Sequence, residues 1–215
     1  MARHLRLGEL LVGVAGLGLM RHAFTGDDAA AAARMEEIRG IVDSDDEVYD
    51  LGVDVPVLDA RSGYARWAET YDRPGNPLIS AEQSLIWAMF DVAACALALE
   101  HVADLDVAVS ELARVVRPGG RIVLSDLHPA VAAVGGCAYF RDAAGGAAVV
   151  RGYRHLHGDY LRAFRQAGLV VEQSLEPLIG HEEVQMQGSA AFIPAAAEAA
   201  YLGLPMALIW DLRRP

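Results

Sequence analysis

Glu111-Leu112-Ala113-Arg114-Val115-Val116-Arg117-Pro118-Gly119-Gly120-Arg121-Ile122-Val123-Leu124-Ser125-Asp126 is the stretch from which the fold is read. Its first half closes a segment of helical spacing, Leu105–Val116, and Arg117-Pro118-Gly119-Gly120 stops that helix as proline and glycine do. Its second half, Arg121–Asp126, is an apolar run of the kind found in a strand buried on both faces. Upstream, Asp91-Val92-Ala93-Ala94-Cys95-Ala96-Leu97-Ala98-Leu99 is another near-continuous apolar run. Downstream, His157–Ala167 reads as a helix ended by Gly168, Leu169–Leu178 as a third strand and Pro205–Leu212 as a fourth. Alternation of strand and helix predicts an α/β class with a parallel sheet.

Towards the N-terminus the period changes. Leu7, Leu10, Leu11, Val14 and Leu17 recur at three- and four-residue steps, predicting a helix with one buried stripe. Gly13-Val14-Ala15-Gly16-Leu17-Gly18 lies inside that helix. A dinucleotide loop must instead follow a strand and open a helix, so these glycines read as helix packing. Thr25-Gly26-Asp27-Asp28 supplies a turn and an N-cap. A second helix then runs from about Asp27 to Val42, with Met35, Ile38 and Val42 on its inner side. Asp43–Asp59 is acidic, carries Gly52 and Pro56, and reads as a linker. Two units follow: residues 1–60, a helical hairpin with its linker, and residues 61–215, an α/β domain. Within the second, Tyr64–Asp72 is a short aromatic helix broken at Pro74-Gly75-Asn76-Pro77, and another helix covers about Ser80–Phe90.

Composition narrows the chemistry. The chain has 215 residues, 53% of them hydrophobic, which excludes an intrinsically disordered chain. Eighteen basic against twenty-nine acidic residues give a net charge of −11, against nucleic acid or an anionic membrane as the partner. Every basic residue is Arg, so lysine Schiff bases and a P-loop lysine are excluded. Cys95 and Cys137 are too few for a disulfide framework or a thiolate zinc site. The apolar run Leu10–Met20 is short for a bilayer, which takes roughly twenty residues. These features predict a cytoplasmic protein with reduced thiols.

From Phe90 to His128 the chain resembles the second half of a class I S-adenosylmethionine (SAM) methyltransferase: its fourth strand, the helix after it, the Arg-Pro-Gly-Gly turn and the fifth strand. Tyr64–Asp72 resembles the aromatic helix that small-molecule members place before their first strand. The resemblance implies a remnant of a Rossmann-like sheet, of about four strands, behind an N-terminal helical region. The family's first two β–α units, with their G-x-G-x-G loop and ribose-binding acid, have no counterpart here. The expectation is therefore that no cofactor is bound and that SAM binding is lost. The old acceptor pocket would then serve SAM-independent chemistry on a small molecule, such as isomerisation, cyclisation or elimination in natural-product biosynthesis. Two alternatives stand beside it: a non-catalytic binding protein, and a methyltransferase whose SAM site is altered or shared across a dimer.

Candidate residues follow from the sheet edge where open α/β sheets bind ligands. His128, after the fifth strand of the resemblance, suits proton transfer near neutral pH; hydrogen bonding within its own loop is the alternative. His155 and His157 precede the next helix, as further acid–base groups or as loop caps, and no metal is assigned to them. Asp126, Glu100 and His101 stand at the same edge as substrate contacts, with a helix N-terminal acid interacting with the dipole as the alternative for Glu100, and Tyr64, Trp67 and Tyr71 read as an aromatic lid or as plain packing. The Asp91–Leu99 run, stripped of one flank, would be an apolar edge without charge between Val92 and Leu99. Pairing of two copies along it predicts a homodimer, the alternative being that the N-terminal helices fold over the edge.

Overall fold

The computed structural model describes residues 2–71, 75–86 and 93–215. Asp91 and Val92 at the start of the fourth-strand motif, and the Phe90 end of the preceding helix, lie outside them. Among the described residues the main sheet is β3 (Ala93–Ala96), β4 (Arg121–Leu127), β8 (Ala207–Arg213) and β7 (Val170–Leu175), in that order. β3 runs parallel to β4, whereas β8 is antiparallel to both of its neighbours. The remnant sheet is therefore the four strands read from sequence, with its last strand reversed.

Helices α5 (Leu105–Val115) and α7 (His157–Gln166) cover one face of this sheet. Val109, Phe164, Leu124 and Leu208 are all at most 1% exposed there, with Tyr160 and Trp210 beside them. The turn after α5 needs its glycines. Gly119 has φ +79°, and a Cβ on Gly120 would stand 2.6 Å from a Val116 methyl. Gly119 N–H also donates to the Arg214 carbonyl at 2.7 Å, tying the turn to the end of β8.

A second sheet was not foreseen. It runs β1 (Ala2–Arg6), β2 (Gly52–Leu58), β6 (Ala147–Val150), β5 (Tyr139–Arg141). The linker reading of Asp43–Asp59 is thus corrected: it holds a 3-10 turn at Glu47–Asp50 and then strand β2. The physical signal was present in Val53, Val55 and Val57, which alternate as a strand requires. Asp54 and Pro56 between them masked it. Only Val55 of the three is fully buried, 0% exposed, and Pro56 pairs across to Ala2 at the start of β1. Helix α3 (Ala60–Trp67) packs on this sheet, because Gly63 lets it approach β6: a Cβ there would lie 2.6 Å from a Val150 methyl.

The N-terminal hairpin forms as read, from α1 (Leu7–Thr25) and α2 (Asp28–Val42). Gly26 turns at φ +78° and the Asp27 carboxylate caps α2 at Ala30 N–H, 2.9 Å. The inner face of α2 is shifted by one residue, however. Arg34 and Ile41 are buried while Met35 and Val42 are exposed, because Arg34 turns inward to an ion pair with Glu37. Helix α1 spans nineteen residues, eight more than the apolar run, and is long and apolar enough to cross a membrane. Here it packs on α2 and on α9 (Pro194–Tyr201), with Gly18 against Ala196 and Ala199 and Arg21 donating to the Ala200 and Leu202 carbonyls. Helix α4 (Pro77–Ile86) and the short α6 (Pro129–Ala133) and α8 (His181–Gln185) complete the chain.

Candidate active site

At the carboxyl ends of β3 and β4 a cavity of about 900 Å³ opens, walled by Tyr64, Trp67, Tyr71, Leu97, Glu100 and Leu127 on one side. That volume is in the range of small-molecule sites. Asn76–Leu78, Val131, the segment Val134–Arg141 and Tyr201 add to the wall. The aromatic reading of the lid is realised as both packing and lining. Tyr64 stacks on Trp67 at 5.8 Å between ring centroids, and Trp67 meets Tyr71 at 4.9 Å and Phe140 at 5.0 Å.

Glu100 and His101 follow β3 in a single 3-10 turn, Leu99–His101, which presents Glu100 at the wall and leaves His101 behind it, so the substrate contact expected of His101 is corrected to a supporting position. His101 donates from Nδ1 to the Arg151 carbonyl at 2.7 Å, and its Nε2 lies 3.1 Å from the Tyr64 hydroxyl. Tyr64 in turn donates to the Leu97 carbonyl at 3.1 Å. Leu97 holds φ +49°, a left-handed backbone unfavourable for its branched side chain, and such strain concentrates at ligand sites. Glu100 Oε1 stands 3.5 Å from His101 Nε2. Burial pushes the Glu100 carboxyl up to about 7, so it exchanges a proton near neutral pH.

Asp126 lies behind this wall, 2% exposed. It accepts from the Tyr160 hydroxyl at 2.5 Å and from the Leu127 N–H at 3.0 Å. Burial raises its carboxyl to about 7 against the pull of the Tyr160 bond, and Glu100 adds to the rise. Burial and the Asp126 charge likewise push the Tyr160 phenol upward. Asp126 does not line the cavity; it is a buried acid next to it.

The three histidines separate. His128 and His157 meet, ring centroids 5.0 Å apart, and His157 Nε2 lies 2.7 Å from Glu176 Oε1. His155 turns away: its Nε2 contacts the Val102 carbonyl at 2.8 Å and its ring faces Tyr160. His128 and His157 form a pair with Glu176, and none of the three histidines lines the cavity. The reason is local. His128 Nδ1 caps α6 by accepting from Ala130 N–H at 3.1 Å, which turns the ring from the cavity, while His155 is fixed by backbone. Glu176 was missed by the sequence reading. Its signal was a carboxylate directly after the third strand, at the same sheet edge as His128.

The strands and helices around the site define an α/β protein. Residues 62–124 match the family described as "Methyltransferase domain", which bears out the resemblance over the aromatic helix, β3, α5 and β4. Among solved structures, a SAM-dependent methyltransferase from Mesorhizobium loti is 24% identical, with 58% of this chain and 62% of that chain covered at a TM-score of 0.40. Geranyl diphosphate C-methyltransferase from Streptomyces coelicolor A3(2), in complex with Mg2+, geranyl diphosphate and S-adenosyl-L-homocysteine, is 17% identical over 57% of this chain and 47% of that one, TM-score 0.36. The [4+2]-cyclase SpnF is 20% identical over 57% and 49%, TM-score 0.33. The chain spans between about half and three-fifths of the length of these structures. No curated protein matches it.

These findings correct the expectation that no cofactor is bound and SAM excluded. The matched domain is a methyltransferase domain, and matched structures are described in complex with SAM or S-adenosyl-L-homocysteine. The residues present fit the cationic end of such a donor. A sulfonium is a cation, and the faces of Tyr64, Trp67 and Tyr71 beside the Glu100 carboxyl are cation receptors. The sequence from Asp72 to Val92 still carries no G-x-G-x-G loop, so the wall of this cavity is where the fit lies.

Proposed function

We propose that the protein is a small-molecule methyltransferase with an altered SAM site, whose acceptor and donor share the cavity between α3 and the end of β3. When bound, SAM supplies an electrophilic methyl group carried on a positively charged sulphur. Tyr64, Trp67 and Tyr71 hold flat or apolar molecules against their faces and exclude water from the reacting end. Glu100 takes the proton from an acceptor hydroxyl or amine; a carboxyl at about 7 is half ionised at neutral pH and matched to that task. His101 is anchored by the Arg151 carbonyl, with its Nε2 beside the Tyr64 hydroxyl and Glu100 Oε1 3.5 Å away.

The observation that supports this reading is the pairing of an aromatic-walled cavity of about 900 Å³ with one proton-exchanging carboxyl at its wall. Calorimetry of the full chain with SAM and with S-adenosylhomocysteine tests it. Affinities of roughly 1–100 μM, about −8 to −5.5 kcal/mol, are expected, with Trp67→Ala weakening both. Absence of heat from either compound up to millimolar concentration would overturn the proposal. With binding in hand, Glu100→Gln separates enzyme from binding protein: it should retain the ligands and lower turnover roughly 10²–10⁴-fold.

A further inference from the structure

His128, His157 and Glu176 come from three different elements and meet at the carboxyl edge of the main sheet, outside the cavity lining. His128 follows β4, His157 opens α7 and Glu176 follows β7. His157 Nε2 is 2.7 Å, and His128 Nε2 3.5 Å, from the same Glu176 Oε1. One ligand atom from each residue lies within 4.8 Å of the other two. His128 is 6% exposed, and its Nε2 is buried without a hydrogen-bond partner. Buried polar atoms are nearly always satisfied, and this one is aimed at a carboxylate and a second imidazole.

We propose that this trio binds a divalent transition-metal ion, Zn2+ by its donor chemistry, through His128 Nε2, His157 Nε2 and the Glu176 carboxylate. Two imidazoles and a carboxylate are a nitrogen and oxygen set that suits Zn2+. Ca2+ and Mg2+ call for shells made of oxygen, and Cu(I) for thiolate or thioether. With bonds of about 2.0–2.1 Å, tetrahedral ligands stand roughly 3.3 Å apart, between the shortest and longest separations here. The side chains of His157 and Glu176 are 39% and 47% exposed, which gives the ion a route in and the ligands room to adjust. Three protein ligands leave a fourth position for water.

One interaction opposes the ion and makes the proposal more specific. Because His128 Nδ1 accepts from Ala130 N–H, the neutral unliganded ring carries its proton on Nε2. Loading must therefore shift that proton to Nδ1, and the cap on α6 is then given up. Val131 in α6 and Val134 just after it border the cavity, so occupancy of the metal site would be felt at the cavity wall. The competing arrangement, a Glu176 carboxylate simply bridging two imidazole N–H groups, predicts no ion binding.

The experiment uses the full chain without a polyhistidine tag, treated with chelator and titrated with Zn2+ by calorimetry and with Co2+ by visible absorption. Expected are one ion per chain and the strong absorption bands of tetrahedral Co2+. His157→Ala and Glu176→Gln should each weaken binding roughly tenfold or more, with circular dichroism confirming that both fold. His181→Ala, whose ring faces Glu198 elsewhere, should bind as the parent does. Lack of saturable binding below about 100 μM, a level near −5.5 kcal/mol, would overturn the site. So would unchanged affinity in both ligand variants, which would place the ion elsewhere on an acidic surface.

Discussion

Replacing Glu100 by Gln keeps the shape of the side chain and removes its charge, so its effect on stability should depend on pH in a calculable way. Burial lifts the carboxyl from its ordinary 4.5 to about 7 in the folded chain. Below about pH 4.5 the group is protonated in both folded and unfolded chains and contributes no pH dependence. Between there and 7 the unfolded chain has released a proton that the folded chain still holds. Stability therefore falls as pH rises through that window. A rise of roughly two and a half pH units, at about 1.36 kcal/mol each, sets a ceiling of ~3 kcal/mol. The side chain is 12% exposed, so discounting for screening is modest and an effect of about 1–3 kcal/mol is expected. Urea unfolding of parent and variant at pH 5 and pH 8 measures it. The variant should be close to the parent at pH 5 and more stable by that margin at pH 8. A difference between the two proteins that stays constant across pH would refute the account of a buried, proton-holding carboxyl.

Gly18→Val would place a β-branched side chain where a Cβ already meets Ala199 Cβ at 3.1 Å and the Ala196 carbonyl at 3.2 Å. Overpacking of this kind costs about 1–3 kcal/mol, read as a lower midpoint in urea. Arg21→Ala removes two hydrogen bonds of 2.8 Å from α1 to the end of α9, and should cost roughly 1–3 kcal/mol with no change in cavity binding. Among the described residues β3 pairs with β4 alone, and we propose that its free edge joins a second copy. Light scattering should give a dimer at micromolar concentration, with Ala94→Arg shifting it to monomer by placing charge on the edge; a monomeric parent would exclude the pairing.

The main sheet was legible because β4 and β8 are buried along nearly their whole length and α5 is followed by Pro118-Gly119-Gly120. Continuous apolar runs and a hard stop are signals that survive without any knowledge of tertiary contacts. The second sheet was not legible for the opposite reasons. β1, Ala2–Arg6, is exposed along its whole length and carries Arg3, His4 and Arg6, so no apolar alternation marks it. β5 and β6 hide in the glycine-bearing stretch after His128, and their strand character depends on pairing with each other and on two residues of β2. At the site, the residue types at the sheet edge were found from topology alone. Their directions were not. Nothing in Leu127-His128-Pro129 announces that the imidazole will cap its own helix, and Glu176 acquires a partner only when β7 folds back beside β4 through β8.

The cavity wall is also the seam between the two sheets, and this decides which substitution can be informative. The turn at Leu99–His101 ends the main-sheet strand β3, and it is stitched to the chain leaving β6 by the His101 bond to the Arg151 carbonyl and by Tyr153 N–H donating to the Glu100 carbonyl at 2.6 Å. Tyr64, carried by a helix that packs on the second sheet, closes the seam through the Leu97 carbonyl. Changing Tyr64 or His101 therefore alters architecture and chemistry together, and loss of activity in either says little about a proton. Glu100 contributes to the seam through its backbone, which a Gln substitution leaves in place. Its carboxyl can be changed in charge while the stitching stays. For that reason a fall in turnover in Glu100→Gln, with SAM affinity and pH 5 stability held, carries the catalytic assignment, whereas the same fall in Tyr64→Phe or His101→Ala would not.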